Sequence, residues 1–104
     1  MSTDGQTQVS EQSNYRLPSN LTLQHATKLC IVDDKPLMMD YWTLSLDKHV
    51  IIGVKENNEK LLVKSEDEYT SPIIKIYKVE TEYLVVTENS VYVVDVGCPT
   101  KRIS

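Results

Sequence analysis

Glycine, cysteine and phenylalanine are scarce in this chain of 104 residues, which has three glycines, two cysteines and no phenylalanine. The shortage of glycine excludes a Gly-rich loop around a phosphate, which needs close backbone approach and positive φ angles. Two cysteines, Cys30 and Cys98, cannot make a disulfide framework. Apolar runs are short, four or five residues at most, as in residues 83–86 and 91–94. A membrane-spanning helix needs about 20. Residues 1–13 lack the basic and then apolar segments of a secretory signal. A soluble, intracellular protein without membrane contact is therefore expected. Positive charge is also in deficit: 11 Lys and Arg stand against 15 Asp and Glu, a net charge of −4. That balance disfavours a general binder of nucleic-acid backbones, whose affinity comes from Lys and Arg.

What is present has an ordinary globular balance, 40% hydrophobic and 25% charged, and the length suits one domain. Residues 1–18 are rich in Ser, Thr, Gln and Asn and read as a flexible polar tail. Residues 19–104 read as a single strand-rich domain. Ser19 and Asn20 are good helix caps, and Leu23, Ala26, Leu29 and Cys30 recur at helical spacing. A short helix over about 21–32 is expected, with a strand at 28–32 as the rival. Pro36 ends either one, because it disfavours helical backbone at Lys35.

Beyond Pro36 the residues are those of a pleated surface, β-branched and aromatic. Strands are expected at 37–42, 50–54, 61–63, 73–78, 83–87 and 91–96. An Asn-rich turn at 55–60 and a solvated acidic loop at 66–68 separate some of them. Within 37–42, Leu37 and Met39, or their alternates, are expected in the core. The resulting fold class is α+β or all-β: a small, mainly antiparallel curled sheet or barrel of five or six strands, with a short N-terminal helix. A two-residue turn at Glu88-Asn89 would set Val86 opposite Val91, Val85 opposite Tyr92, and Leu84 opposite Val93. One face of this hairpin then carries Leu84, Val86, Val91 and Val93; the other carries Tyr83, Val85, Tyr92 and Val94. A strand wetted on one side should alternate apolar and polar residues. Here both faces are apolar, so a helix, a second sheet or another chain must cover the second one.

Few residues suggest chemistry. Ile31-Val32-Asp33-Asp34-Lys35-Pro36 resembles the start of a response-regulator receiver domain, where a strand ends in paired acids that hold magnesium. The resemblance covers six residues and implies alternating strands and helices, whereas the rest of the chain reads as successive strands. His25, Cys30, His49 and Cys98 lack the close pairing of zinc ligands. Cys98, in a Gly97-Cys98-Pro99 turn, could act as a nucleophile only with His25 or His49 folded against it. Lys60, Lys64, Lys75 and Lys78, with Tyr77 or Tyr83 as a stacking ring, could bind single-stranded nucleic acid. Such lysines also guard sheet edges.

No cofactor, metal or catalytic residue is expected. The leading expectation is a non-catalytic structural or adaptor module. It would associate with a protein partner or with itself, through the Tyr83, Val85, Tyr92 and Val94 face or a free sheet edge. The alternatives are a small regulatory β-barrel binding nucleic acid or a small ligand, and an enzyme.

Overall fold

The computed structural model describes residues 16–103, which form an α+β domain. Helix α1 (Asn20–Asp33) starts where its cap is: the Ser19 hydroxyl accepts from the Thr22 N–H at 3.1 Å. It ends at Asp34, whose backbone is left-handed at φ 55°. The Lys35 N–H then donates back to the Cys30 carbonyl at 3.1 Å. That bond occupies an otherwise orphaned carbonyl, and Pro36 stops the helix from continuing. Of the two readings of residues 28–32, the helix is the one adopted. Ile31 and Val32 therefore occupy the last turn of a helix, and the acids after them do not end a strand as a receiver domain requires.

The remaining elements are β1 (Leu37–Met38), α2 (Trp42–Leu46), β2 (Ile51–Val54), β3 (Lys60–Val63), β4 (Ile73–Val79), β5 (Glu82–Thr87), β6 (Val91–Asp95) and β7 (Thr100–Arg102). They build a four-stranded sheet in the order β1-β6-β5-β4 and a three-stranded sheet in the order β3-β2-β7. The β2/β3, β4/β5 and β5/β6 pairs are antiparallel, and the short β1/β6 and β2/β7 pairs are parallel. Among the described residues neither sheet closes into a barrel. Among the described residues, no helix is long and apolar enough to cross a membrane.

Residues 37–42, expected as one strand, divide in two. Only Leu37 and Met38 pair, with Val91 and Tyr92, and the chain becomes helical at Trp42. Periodicity does not separate a short strand from a buried helical turn. The turn suits both aromatics. Tyr41 and Trp42 are buried in different clusters, and the Trp42 indole N–H donates to the Arg16 carbonyl at 2.7 Å. The core of this run therefore falls on Tyr41 and Trp42. Met39 is exposed, and Leu37 packs only at the margin of its cluster.

The β5–β6 hairpin has the expected register: Val86 faces Val91, Val85 faces Tyr92, and Leu84 faces Val93. Its turn is Glu88-Asn89, closed by the Thr87 N–H donating to the Ser90 carbonyl at 2.9 Å. Both apolar faces are covered from within the chain. Leu84 and Val93 pack with Ala26 of α1 and with Trp42. Val85 and Val94 pack with Val50, Ile52 and Leu62 on the other side. The domain is thus layered, with α1, four-stranded sheet and three-stranded sheet in turn, and the α2 turn contributes to both clusters. Gly53 is closely packed: a Cβ there would lie 2.6 Å from the tip of the Ile103 side chain.

Candidate binding surface

The layering decides the fate of the Tyr/Val face. Val85 and Val94 have no exposed surface, and Tyr83 and Tyr92 are half-buried against the same cluster. Tyr92 meets Tyr41 edge-on, with ring centroids 5.2 Å apart. Tyr83, Val85, Tyr92 and Val94 therefore form a contact inside the chain, between its two sheets. The expectation that a partner covers this face is corrected: the three-stranded sheet covers it, and Val85 and Val94 could not reach another molecule from the folded domain.

Apolar surface is instead left free at the other side of the sheet. Among the described residues β4 is an edge strand, paired only with β5. Along it Ile74 is 56% exposed and Tyr77 38% exposed. Helix α1 lies over β5 and β6 and leaves a groove along β4. The groove holds two cavities, of about 460 and 520 Å³, which share Leu29 and Tyr77 in their walls. Leu21, Val32 and Ile74 extend the apolar lining, and Val32 is 73% exposed. Around it stand Lys28, Lys35, Lys75 and Lys78, with Asp33 and Glu80 as the acids. Lys35 is partly committed, since its ammonium donates to the Thr87 carbonyl at 2.7 Å. Lys75 lies 5.8 Å from the centroid of the Tyr77 ring, on the same face of β4.

A polar cluster joins the start of the domain to the sheet. The Glu82 carboxylate is buried, and it accepts from Thr22 Oγ1 at 2.6 Å, Thr81 Oγ1 at 2.8 Å, Arg16 at 3.2 Å and the Ser19 N–H at 3.4 Å. Burial alone would raise its pKa, but these donors outweigh burial and hold it below the ordinary value. Arg16 also pairs with Asp95 at 2.7 Å and lies over the Trp42 ring. Arg16 is thus anchored, although it falls in the segment expected to be a flexible tail; residues 1–15 of that segment lie outside the described residues.

The other candidates are scattered. His25 lines the α1–β4 groove, whereas His49 lines a cavity of about 620 Å³ on the three-stranded sheet. Cys98 is buried, and its Sγ donates to the Val50 carbonyl at 3.0 Å. Burial, with help from Asp95, pushes its thiol up to about 11, so little thiolate exists near neutrality. Cys30 is partly exposed and unpaired with Cys98, and its thiol is raised by burial and by Asp33. Among the described residues no group of His, Cys, Asp and Glu is arranged to hold a metal ion. Lys64 sits over the Tyr41 ring and 3.8 Å from Asp40, on the other sheet from Lys75 and Lys78. The four lysines considered for nucleic acid are thereby divided between the two sheets.

Comparison with protein-family models, with curated proteins and with solved structures finds no match to this chain. Sequence reasoning sets Val32 in a receiver-like motif, Ile74 in a strand and Tyr77 as a stacking ring, and does not bring the three together. The available signal was the pair of lysines in β4, because lysine on an apolar strand marks a sheet edge.

Proposed function

We propose that this protein is a non-catalytic structural or adaptor module that associates with another protein chain along the outer edge of β4 and the apolar groove beside it. One observation carries this reading: a seven-residue edge strand with Ile74 and Tyr77 exposed, in a domain whose other strand faces around it are buried. An open strand edge offers a row of backbone donors and acceptors to an incoming strand, and side-chain pockets beside it supply selectivity. The lysines around the groove favour an apolar segment that carries acids. No catalytic role is assigned, because the two histidines line different cavities and the buried thiol is held protonated. The test is comparative capture from the native source with wild-type protein, Ile74→Lys, and Tyr69→Lys as a control on another surface. Partners held by wild type and Tyr69→Lys but lost by Ile74→Lys support the edge. Equal capture by all three sinks it.

A second reading is binding of a small apolar anion in the cavity of about 620 Å³ on the three-stranded sheet. Ile51, Leu61 and Val63 line it together with Lys48, Lys55 and Lys64 and one acid, Glu66. Titration with decanoate and with uncharged decanol tests it. Saturable binding of decanoate that Lys64→Gln weakens supports this reading, and the absence of saturable binding removes it.

A further inference from the structure

We infer that the segment taken up by β4 is an extended stretch of another protein, with two acids three residues apart and two apolar residues between them. This rests on the edge-binding function proposed above and adds to it the residues that the partner presents. From Lys75 to Val79 the pairing of β4 with β5 is regular, and its irregularity lies before that stretch, between Ile73 and Lys75. Directly opposed residues of neighbouring strands share a face. Lys75 and Tyr77 oppose Val86 and Leu84, so they stand on the side of α1. Ile76 and Lys78 oppose Val85 and Tyr83, so they stand on the side of the three-stranded sheet. The strand therefore shows one lysine on each face, with Ile76 and Tyr77 between the two.

A strand added to the free edge sets one residue opposite each of these four. Opposite Lys75 and Lys78 a carboxylate makes a favourable cross-strand pair, and another lysine an unfavourable one. Both lysines are exposed, and among the described residues neither takes part in an ion pair. The residue opposite Tyr77 faces the groove, whose two cavities both have Leu29 and Tyr77 in their walls. The residue opposite Ile76 faces a cavity of about 310 Å³, which Ile73 and Ile76 line with Asn58, Glu59 and Lys60. Aromatic or branched aliphatic residues suit both places as cross-strand neighbours of Tyr77 and Ile76. The order acid, apolar, apolar, acid reads the same in both directions, so it serves a parallel or an antiparallel partner. Charge of either sign would guard an edge; two lysines also select, turning away basic strands and admitting acidic ones. In this chain the only acids at that spacing are Glu56 and Glu59, and they enclose Asn57 and Asn58. Neither a second copy nor another part of this chain therefore offers the sequence.

The test uses the full chain and end-blocked, fluorescein-labelled peptides that differ only in four central residues, with anisotropy as the readout. The peptide with Glu-Ile-Val-Glu is expected to bind wild type saturably. Replacing both of its acids by Gln should weaken binding about tenfold. Glu-Ile-Glu-Val keeps the composition and charge but moves one acid, and should bind roughly threefold more weakly. The double variant Lys75→Glu, Lys78→Glu should lose the Glu-Ile-Val-Glu peptide and take up Lys-Ile-Val-Lys instead. Lys101→Glu, on β7, should bind as wild type does, and circular dichroism confirms that each variant is folded. Equal affinity for the two spacings overturns the pairing and leaves the edge function standing. Binding that survives charge reversal on β4 places the peptide elsewhere and overturns the inference. So does the absence of saturable binding to wild type. In either case the capture experiment with Ile74→Lys decides the edge function independently.

Discussion

Strands β4 and β5 lie side by side, are joined by Glu80-Thr81, and are both built from aliphatic residues, tyrosine and a few charges. Their surroundings are opposite. In β5 every residue except Tyr83 is buried, whereas in β4 none is. The charges follow. The one charged residue of β5, Glu82, is buried and accepts four hydrogen bonds, while Lys75 and Lys78 of β4 stand in solvent. Composition is therefore a poor guide to which strand is interior. A charge in the middle of the sheet has to be built into a network, and a charge at its edge is hydrated and serves to restrict pairing.

The contrast is open to direct attack. Leu84→Ala in β5 should cost about 3 kcal/mol, because it leaves a cavity between α1 and the sheet. Tyr77→Ala in β4 should cost roughly 0.5 kcal/mol, as surface changes do. Urea unfolding of both variants measures the gap, and equal losses would erase the distinction between the strands. Glu82→Gln comes next, at about 2 kcal/mol, since an amide cannot satisfy all the donors aimed at a carboxylate. Its pH dependence has a definite sign. The folded pKa of Glu82 lies below its ordinary value of 4.5, so the carboxylate's contribution is complete above that value and fades as pH falls through the lowered one. Wild type should thus lose stability on acidification more steeply than Glu82→Gln. Parallel profiles would show that folding leaves its pKa at the ordinary value.

Tyr92→Asp sharpens the comparison from the inner face. With Tyr92 packed on Tyr41 between the sheets, the substitution should lower stability by about 2 kcal/mol through burial of a carboxylate. A variant that stays as stable as wild type and loses only association would return this face to the role of an outward interface. The smallest effect is at the turn between the two strands. Glu80 has a left-handed backbone at φ 53°. Glu80→Gly should gain about 0.5 kcal/mol, the relief of side-chain crowding less the entropy glycine loses on folding. Thermal unfolding would register it as a small rise in midpoint.

The elements that could be read from the sequence are those whose determinants are local. Ser19 caps the helix that follows it, and Pro36 lies just beyond the helix end. The hairpin register followed from a two-residue turn and strict alternation on either side of Glu88-Asn89. The residues 37–42 misled for the converse reason: Leu, Met, Tyr and Trp suit a strand, but the run turns helical where Trp42 meets the Arg16 carbonyl, a contact between residues far apart in the chain. The apolar Tyr/Val face was recognised as needing a cover, and the sequence could not say which of three covers it would find. The α1–β4 groove was not legible, because it is a space left by the placement of a helix over β5 and β6.

By itself, then, the sequence determined a small strand-rich domain, α+β or all-β, the cap that starts α1, most strand positions and the pairing of β5 with β6, since capping, turns and alternation act over a few residues. Only the tertiary structure decided that the three-stranded sheet covers Val85 and Val94, that donors hold Glu82 ionised within a buried cluster, and that β4 is left as the open edge. Those outcomes depend on which layers meet across the core, and burial of apolar area, which drives that meeting, carries no direction along the chain.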